Sequence, residues 1–172
     1  MKSAVQYSVW GLLSLLGLLL AGCAHYQLGT GGKLPFTTLY VQPVATKLLV
    51  PQAQELLSTQ LRTAFNRDGR VSLVNSADAT SATLIVALTV YHRDVATQRA
   101  GDSGLARKFT LTLGAKATLT DGSGRALFTD RLVEVQRDIF SDGGQIQAEY
   151  QAMPLLAQAL ADKLTHTVLD VW

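Results

Sequence analysis

The chain has one cysteine, Cys23, so no disulfide can form within it and no cysteine-rich zinc site is available. Its three histidines, His25, His92 and His166, lie far apart and lack ligand spacing, so no metal is expected. Lysine and arginine number 15 against 13 aspartate and glutamate, without the basic stripe of a nucleic-acid binder. No apolar run reaches the ~20 residues a membrane-crossing helix needs. No pair of carboxylates stands out from the surrounding charge. Gly101-Asp102-Ser103-Gly104 matches the tetrapeptide around a serine-protease nucleophile. However, the chain is too short for the scaffold that holds a triad, and the nearest histidine, His92, is only eleven residues away. Gly29-Thr30-Gly31-Gly32-Lys33 lacks the glycine gap and the Ser/Thr of a phosphate-binding loop. These absences point to a protein that is not an enzyme and carries no cofactor.

At the N-terminus, Lys2 is followed by an apolar segment of 13 residues, Val9 to Ala21, and then by Leu20-Ala21-Gly22-Cys23. A charged start, a short apolar run and small residues before a cysteine form a bacterial lipoprotein signal peptide, here residues 1–22. Cys23 then becomes the acylated first residue of the mature chain. Two or more acyl chains, palmitate among them, anchor a protein stably where one does not. Ala24 stands where an aspartate would hold an enteric-type lipoprotein at the inner membrane, which points to the outer membrane. Residues 23–33 read as the lipidated end and a short glycine-rich tether, and residues 34–172 as one domain.

Leu39-Tyr40-Val41 is a short strand, and Pro35 and Pro43 on either side favour an edge-like position. Pro51 opens a helix on which Ala53, Leu57, Leu61 and Ala64 recur, widened by Leu56 and Phe65 and ended by Gly69. Val71–Val74 begins the next extended stretch, and Thr83–Tyr91 reads as an internal strand. Residues 93–107 read as a polar loop. Phe109, Leu111, Leu113, Ala115, Ala117 and Leu119 alternate with polar or small residues, the period of a strand with one wet face. Asp121–Gly124 turns the chain into a partner strand, 125–139, whose alternation slips near Thr129–Arg131 and predicts a bulge. The last helix carries Ile146, Tyr150, Met153, Ala157, Leu160, Leu164 and Val168 on one stripe, with Pro154 inside it. The order β-α-β-β-β-α predicts an α/β fold (an α+β sandwich), with two helices on one face of a mixed sheet of about four strands. The first β-α-β unit predicts two parallel strands.

The chain resembles the lipopolysaccharide-assembly lipoproteins of the LptE type. The resemblance is carried by Cys23-Ala24-His25-Tyr26-Gln27-Leu28-Gly29, by Leu34–Val41, by Phe65–Val74, and by the order and length of 82–91, the 110–128 hairpin and the last helix. Where the family has a polar stretch after its first strand, this chain has Ala45-Thr46-Lys47-Leu48-Leu49. The resemblance implies a protein at the periplasmic face of the outer membrane, plugging the barrel of the lipopolysaccharide translocon (an LptD-like protein) and contacting lipopolysaccharide. Lipid A phosphates invite cations. Arg93, Arg99, Arg107, Lys108 and Arg137 are the candidates, with Asp94, Asp102, Asp138 and Asp142 nearby. The competing function is an outer-membrane lipoprotein that activates a peptidoglycan synthase. Such activators need a long linker, whereas the ten residues after Cys23 reach only ~35 Å.

Overall fold

The alternation from Phe109 to Leu119 organises the sheet. In the computed structural model, which describes residues 34–50, 52–98, 106–140 and 144–170, all six of those apolar side chains are buried on one face of a strand. The strands are β1 (Thr38–Val41), β2 (Ala45–Thr46), β3 (Ser72–Val74), β4 (Ala82–Gln98), β5 (Ala106–Thr120) and β6 (Ala126–Phe140). They form one mixed sheet in the order β3-β1-β4-β5-β6, with β2 alongside β4. Helices α1 (Ala53–Asp68) and α2 (Gln145–Leu169) cover its apolar face. The expected element order holds, and β1 and β3, joined through α1, are parallel. The sheet is wider than about four strands because β2 and β3, only two and three residues long, add to it. β2 is built from Ala45-Thr46, where the sequence departs from the family pattern.

Two expectations about strands need correction. β1 is internal, hydrogen-bonded to β3 on one side and to β4 on the other. Pro35 and Pro43 both fall outside its four residues, so neither removes a donor from its ladder. The polar stretch 93–107 is not all loop. β4 continues to Gln98 and β5 starts at Ala106, so polar residues at both ends of the stretch pair as strand. Antiparallel pairing satisfies their backbone groups while their side chains stay wet. Beyond Leu88 the sheet narrows to β4, β5 and β6, called here the arm.

α1 buries Ala53, Leu57, Leu61, Ala64 and Phe65, as its periodicity predicts. Gly69 ends it at φ 76°, donating its N–H to the Phe65 carbonyl at 3.1 Å. Pro51 lies outside the described residues. α2 runs unbroken through Pro154, which is exposed and which leaves the Tyr150 carbonyl without its usual helical donor. Its stripe holds from Met153 to Val168, but Ile146 and Tyr150 are 86% and 57% exposed because the first two turns overhang the core. The helices run in the same direction. Gln52 and Tyr150 meet at their starts, and Arg67 bonds Asp162 at 2.5 Å near their ends.

The bulge falls where the alternation slips. Ala117 pairs with Arg131 and Leu119 with Phe128, so Thr129 and Asp130 together face Thr118. Asp130 takes φ 47° and donates its N–H to the Thr118 hydroxyl at 3.1 Å. At the Asp121–Gly124 turn, the Asp121 N–H donates to the Arg125 carbonyl at 2.9 Å, and Gly124 takes φ 83°. The turn is tucked under the chain, since a Cβ on Gly122 would stand 2.2 Å from the Ala79 carbonyl oxygen.

Candidate binding surfaces

The sheet has a helix-covered face and an open one, and strand alternation assigns each side chain to a face. On β5 the odd residues from Phe109 to Leu119 face the helices, so the open face carries Lys108, Thr110, Thr112, Lys116, Thr118 and Thr120. Cross-strand partners add Ile85, His92, Asp94, Leu132, Gln136, Asp138 and Phe140. The surface is polar, with scattered apolar side chains. Gly114 lets the neighbouring strands close over β5, since a Cβ there would meet Glu134 Cγ at 2.8 Å and Val90 Cβ at 3.0 Å. Thr112, in register with His92 and Gln136, is buried, and its hydroxyl finds no partner among the described residues.

The five candidate cations divide between these faces. Arg93 and Arg137 both stand in register with Leu111, on the helix side, about 10 Å apart across β5. Arg93 forms an ion pair with Glu149 of α2 and lies 5.9 Å from the Phe109 ring centre. Arg137 is exposed and makes no ion pair among the described residues. Lys108 lies on the open face and bonds Asp138 at 2.7 Å, with the Thr110 hydroxyl donating to the same carboxylate at 2.7 Å. The Lys108 and Thr110 bonds hold the Asp138 carboxyl below its ordinary range. Arg99 and the side chain of Arg107 lie outside the described residues, as do Asp102 and Asp142, and as do Leu20, Ala21, Gly22 and Cys23.

Sequence reasoning missed two polar clusters, because each joins residues at least 50 positions apart. In the arm, Glu149 receives the Tyr91 hydroxyl at 2.8 Å and Gln145 Nε2 at 3.0 Å besides Arg93. Burial opposes the charge on Glu149, but the bonds from Gln145, Tyr91 and Arg93 outweigh it and lower its pKa. Burial, reinforced by Glu149, pushes the Tyr91 phenol up to about 12. At the opposite end, Arg70 bonds Asp68 at 2.7 Å, Asp170 at 2.7 Å and the Leu169 carbonyl at 3.3 Å. The Arg70 bond is the main reason that both carboxyls sit below their ordinary range. Both clusters act as clasps between elements.

Among the described residues no three His, Cys, Asp or Glu come together as metal ligands, and no helix is long and apolar enough to cross a membrane. An open surface groove of about 730 Å³ is lined by Gly144, Gln145, Ile146, Gln147 and Tyr150. Among the described residues that line it, no nucleophile stands beside a base.

Comparison with solved structures shows the same fold in several bacterial proteins of low identity. A minor lipoprotein from Acinetobacter baumannii is 18% identical, with a TM-score of 0.54, over 78% of this chain and 94% of that one. An uncharacterized lipoprotein B from Nitrosomonas europaea is 19% identical, with a TM-score of 0.51, over 84% and 88%. A Xanthomonas campestris protein is 16% identical, with a TM-score of 0.57, over 79% and 85%. No curated protein matches. The family model described as LptE, lipopolysaccharide-assembly, matches residues 36–168, nearly the whole sandwich from the approach to β1 to the last turn of α2, so this chain belongs to the LptE lipopolysaccharide-assembly family.

Proposed function

We propose that this chain is an outer-membrane lipoprotein subunit of the lipopolysaccharide transport and assembly translocon. In this reading residues 1–22 are removed after Leu20-Ala21-Gly22, acylated Cys23 holds the protein at the periplasmic face, and residues 34–172 are its single domain. That domain plugs and stabilises an LptD-like barrel, contacts lipopolysaccharide, and turns over no substrate. The family match supports the general role. The observation that carries the plug reading is the one-sided sandwich. With both helices on one face, a threonine-rich sheet surface stays free to meet the polar interior of a transmembrane barrel.

For lipopolysaccharide, the arm supplies cations on both faces. Arg137, which makes no ion pair among the described residues, is the best placed of them to take a phosphate. Arg93 and Lys108 would have to share theirs with Glu149 and Asp138, and Arg99 and Arg107 complete the candidate set.

Co-purification from detergent-solubilised outer membranes tests the reading. A large barrel protein retained with the wild-type chain supports it. A peptidoglycan synthase in its place would favour the regulator. Labelling with a clickable palmitate should mark the wild type and fail on Cys23→Ala. An unlabelled precursor that keeps residues 1–22 would remove the anchor. Charge reversal at Arg137 and Lys108 to Glu should cut lipopolysaccharide retention about tenfold without unfolding the domain, and unchanged retention would remove those contacts.

A further inference from the structure

β6 lies at the edge of the sheet, and along most of its length nothing in the described structure covers it. It is 15 residues long, well beyond the usual ~5–6, and long regular edges are what folded proteins normally protect. The protection here is confined to the first part of the strand. The bulge at Thr129 and Asp130 breaks the ladder, and Lys163 of α2 places its ammonium 2.9 Å from the Glu134 carbonyl. From Arg131 to Phe140 the pairing with β5 runs without a register shift. β4, the other margin of the arm, shifts register at Leu88/Val90, Val95/Thr97 and Thr97/Gln98.

The outward-pointing groups of β6 can be identified from two directions. The Asp121 N–H bond to the Arg125 carbonyl sets the phase of the hairpin, so that the odd residues of β5 exchange hydrogen bonds with β6. Even residues of β6 above the bulge therefore present their N–H and C=O to the outside. Lys163 on the Glu134 carbonyl agrees, because a lysine reaches that carbonyl from beyond the edge. Gln136 and Asp138 follow with the same orientation, and no backbone bond to them from outside β5 is present among the described residues. Leu132, 50% exposed, and Phe140, 63% exposed, stand on the open face towards the two ends of this stretch. A row of backbone donors and acceptors at strand spacing is matched by one chemistry, another extended backbone.

We infer that the edge of β6 from Gln136 to Phe140 receives an extended segment of a partner protein, which becomes a seventh strand of the sheet. Exposed Leu132 and Phe140 receive apolar side chains of that segment. The inference takes only the partner's identity from the proposed function. A closed barrel has no free edge in its wall, so in a translocon the segment comes from a loop or chain terminus of the barrel protein.

Hydrogen exchange on the full acylated protein tests the docking without naming the partner. Amides of the 136–140 segment should exchange at least tenfold more slowly in native outer membranes than in the purified protein. Equal rates in both would overturn the proposal. Gln136→Pro deletes an outward N–H while leaving the β5 ladder intact, so it should keep the melting temperature and lower barrel recovery about tenfold. Gln136→Ala, which keeps the N–H, should recover the barrel like wild type. Should the proline variant misfold, Phe140→Lys makes the same test by charging the edge. A photo-cross-linking side chain at position 136 identifies the occupant. A cross-link at twice the mass of this chain would replace the partner with a second copy and overturn the assignment. Slowed exchange in wild-type membranes that yield no barrel would sink the translocon reading while leaving strand docking in place.

Discussion

The two ends of the sandwich are built on different terms. At the base, where Gly69, the Asp121–Gly124 turn and the ends of both helices gather, β1, β3, β4, β5 and β6 all contribute strands. Arg70 clamps the helix ends together, and the hairpin turn is wedged against Ala79. In the arm the sheet narrows to three strands, α2 overhangs with Ile146 and Tyr150 exposed, and Glu149 and Lys163 tie helix to sheet. Both ends bury apolar side chains, Leu111 and Leu113 among them in the arm, but the arm does so under three strands and beneath a helix whose first turns are exposed. Surfaces that must accommodate a partner belong at the end with less to lose from local rearrangement.

The contrast can be broken most severely in the middle of the core. Leu160→Ala, at a fully buried position of α2, should lower unfolding free energy by about 2–5 kcal/mol in urea titration, with both ends failing together. Gly122→Ala attacks the base alone. Its Cβ would collide with the Ala79 backbone, and the expected loss is about 1–3 kcal/mol, seen as a lower thermal midpoint. Glu149→Ala attacks the arm. It leaves the Tyr91 hydroxyl without its acceptor, at a cost of about 1 kcal/mol, and should speed amide exchange in the arm while leaving α1 protected.

A pH titration separates the ends in another way. Asp68 and Asp170 have folded pKa values below their unfolded ones, so their contribution is complete above the unfolded value near 4 and fades as pH falls through the folded value. Arg70→Ala should remove that part of the acid dependence, which unfolding midpoints measured between pH 5 and pH 2 would register. The smallest effect is expected at Leu49→Ser, in a fully exposed side chain, within about 0.5 kcal/mol of wild type.

What could be read from the chain follows the range of the interactions. α1, the β5 alternation, the hairpin turn and the bulge at Thr129–Arg131 are local patterns, and each appears where its residues place it. The position of β1 could not be read, because the flanking prolines describe its ends while its neighbours are chosen by strands 31 and more residues away. Ile146 and Tyr150 keep helical spacing with the core stripe, yet spacing carries no information on where the core stops. The candidate cations are one set by their place at the same end of the hairpin topology. Strand alternation puts Arg93 and Arg137 on one face and Lys108 on the other, and long-range carboxylates occupy Arg93 and Lys108. The Tyr91–Glu149 and Arg70–Asp170 contacts span 58 and 100 positions and left no local mark.

Because α1 and α2 lie side by side with the same polarity, their peptide dipoles add where an antiparallel pair would cancel. Each helix contributes roughly half a positive charge at its start and half a negative charge at its finish. Arg67, Arg70 and His166 answer the negative pole at the base. Neither helix start carries a side-chain cap; Glu55 answers the pole of α1 from its first turn, whereas the first turn of α2 holds no acidic residue, so the backbone itself biases the start of α2 towards anions.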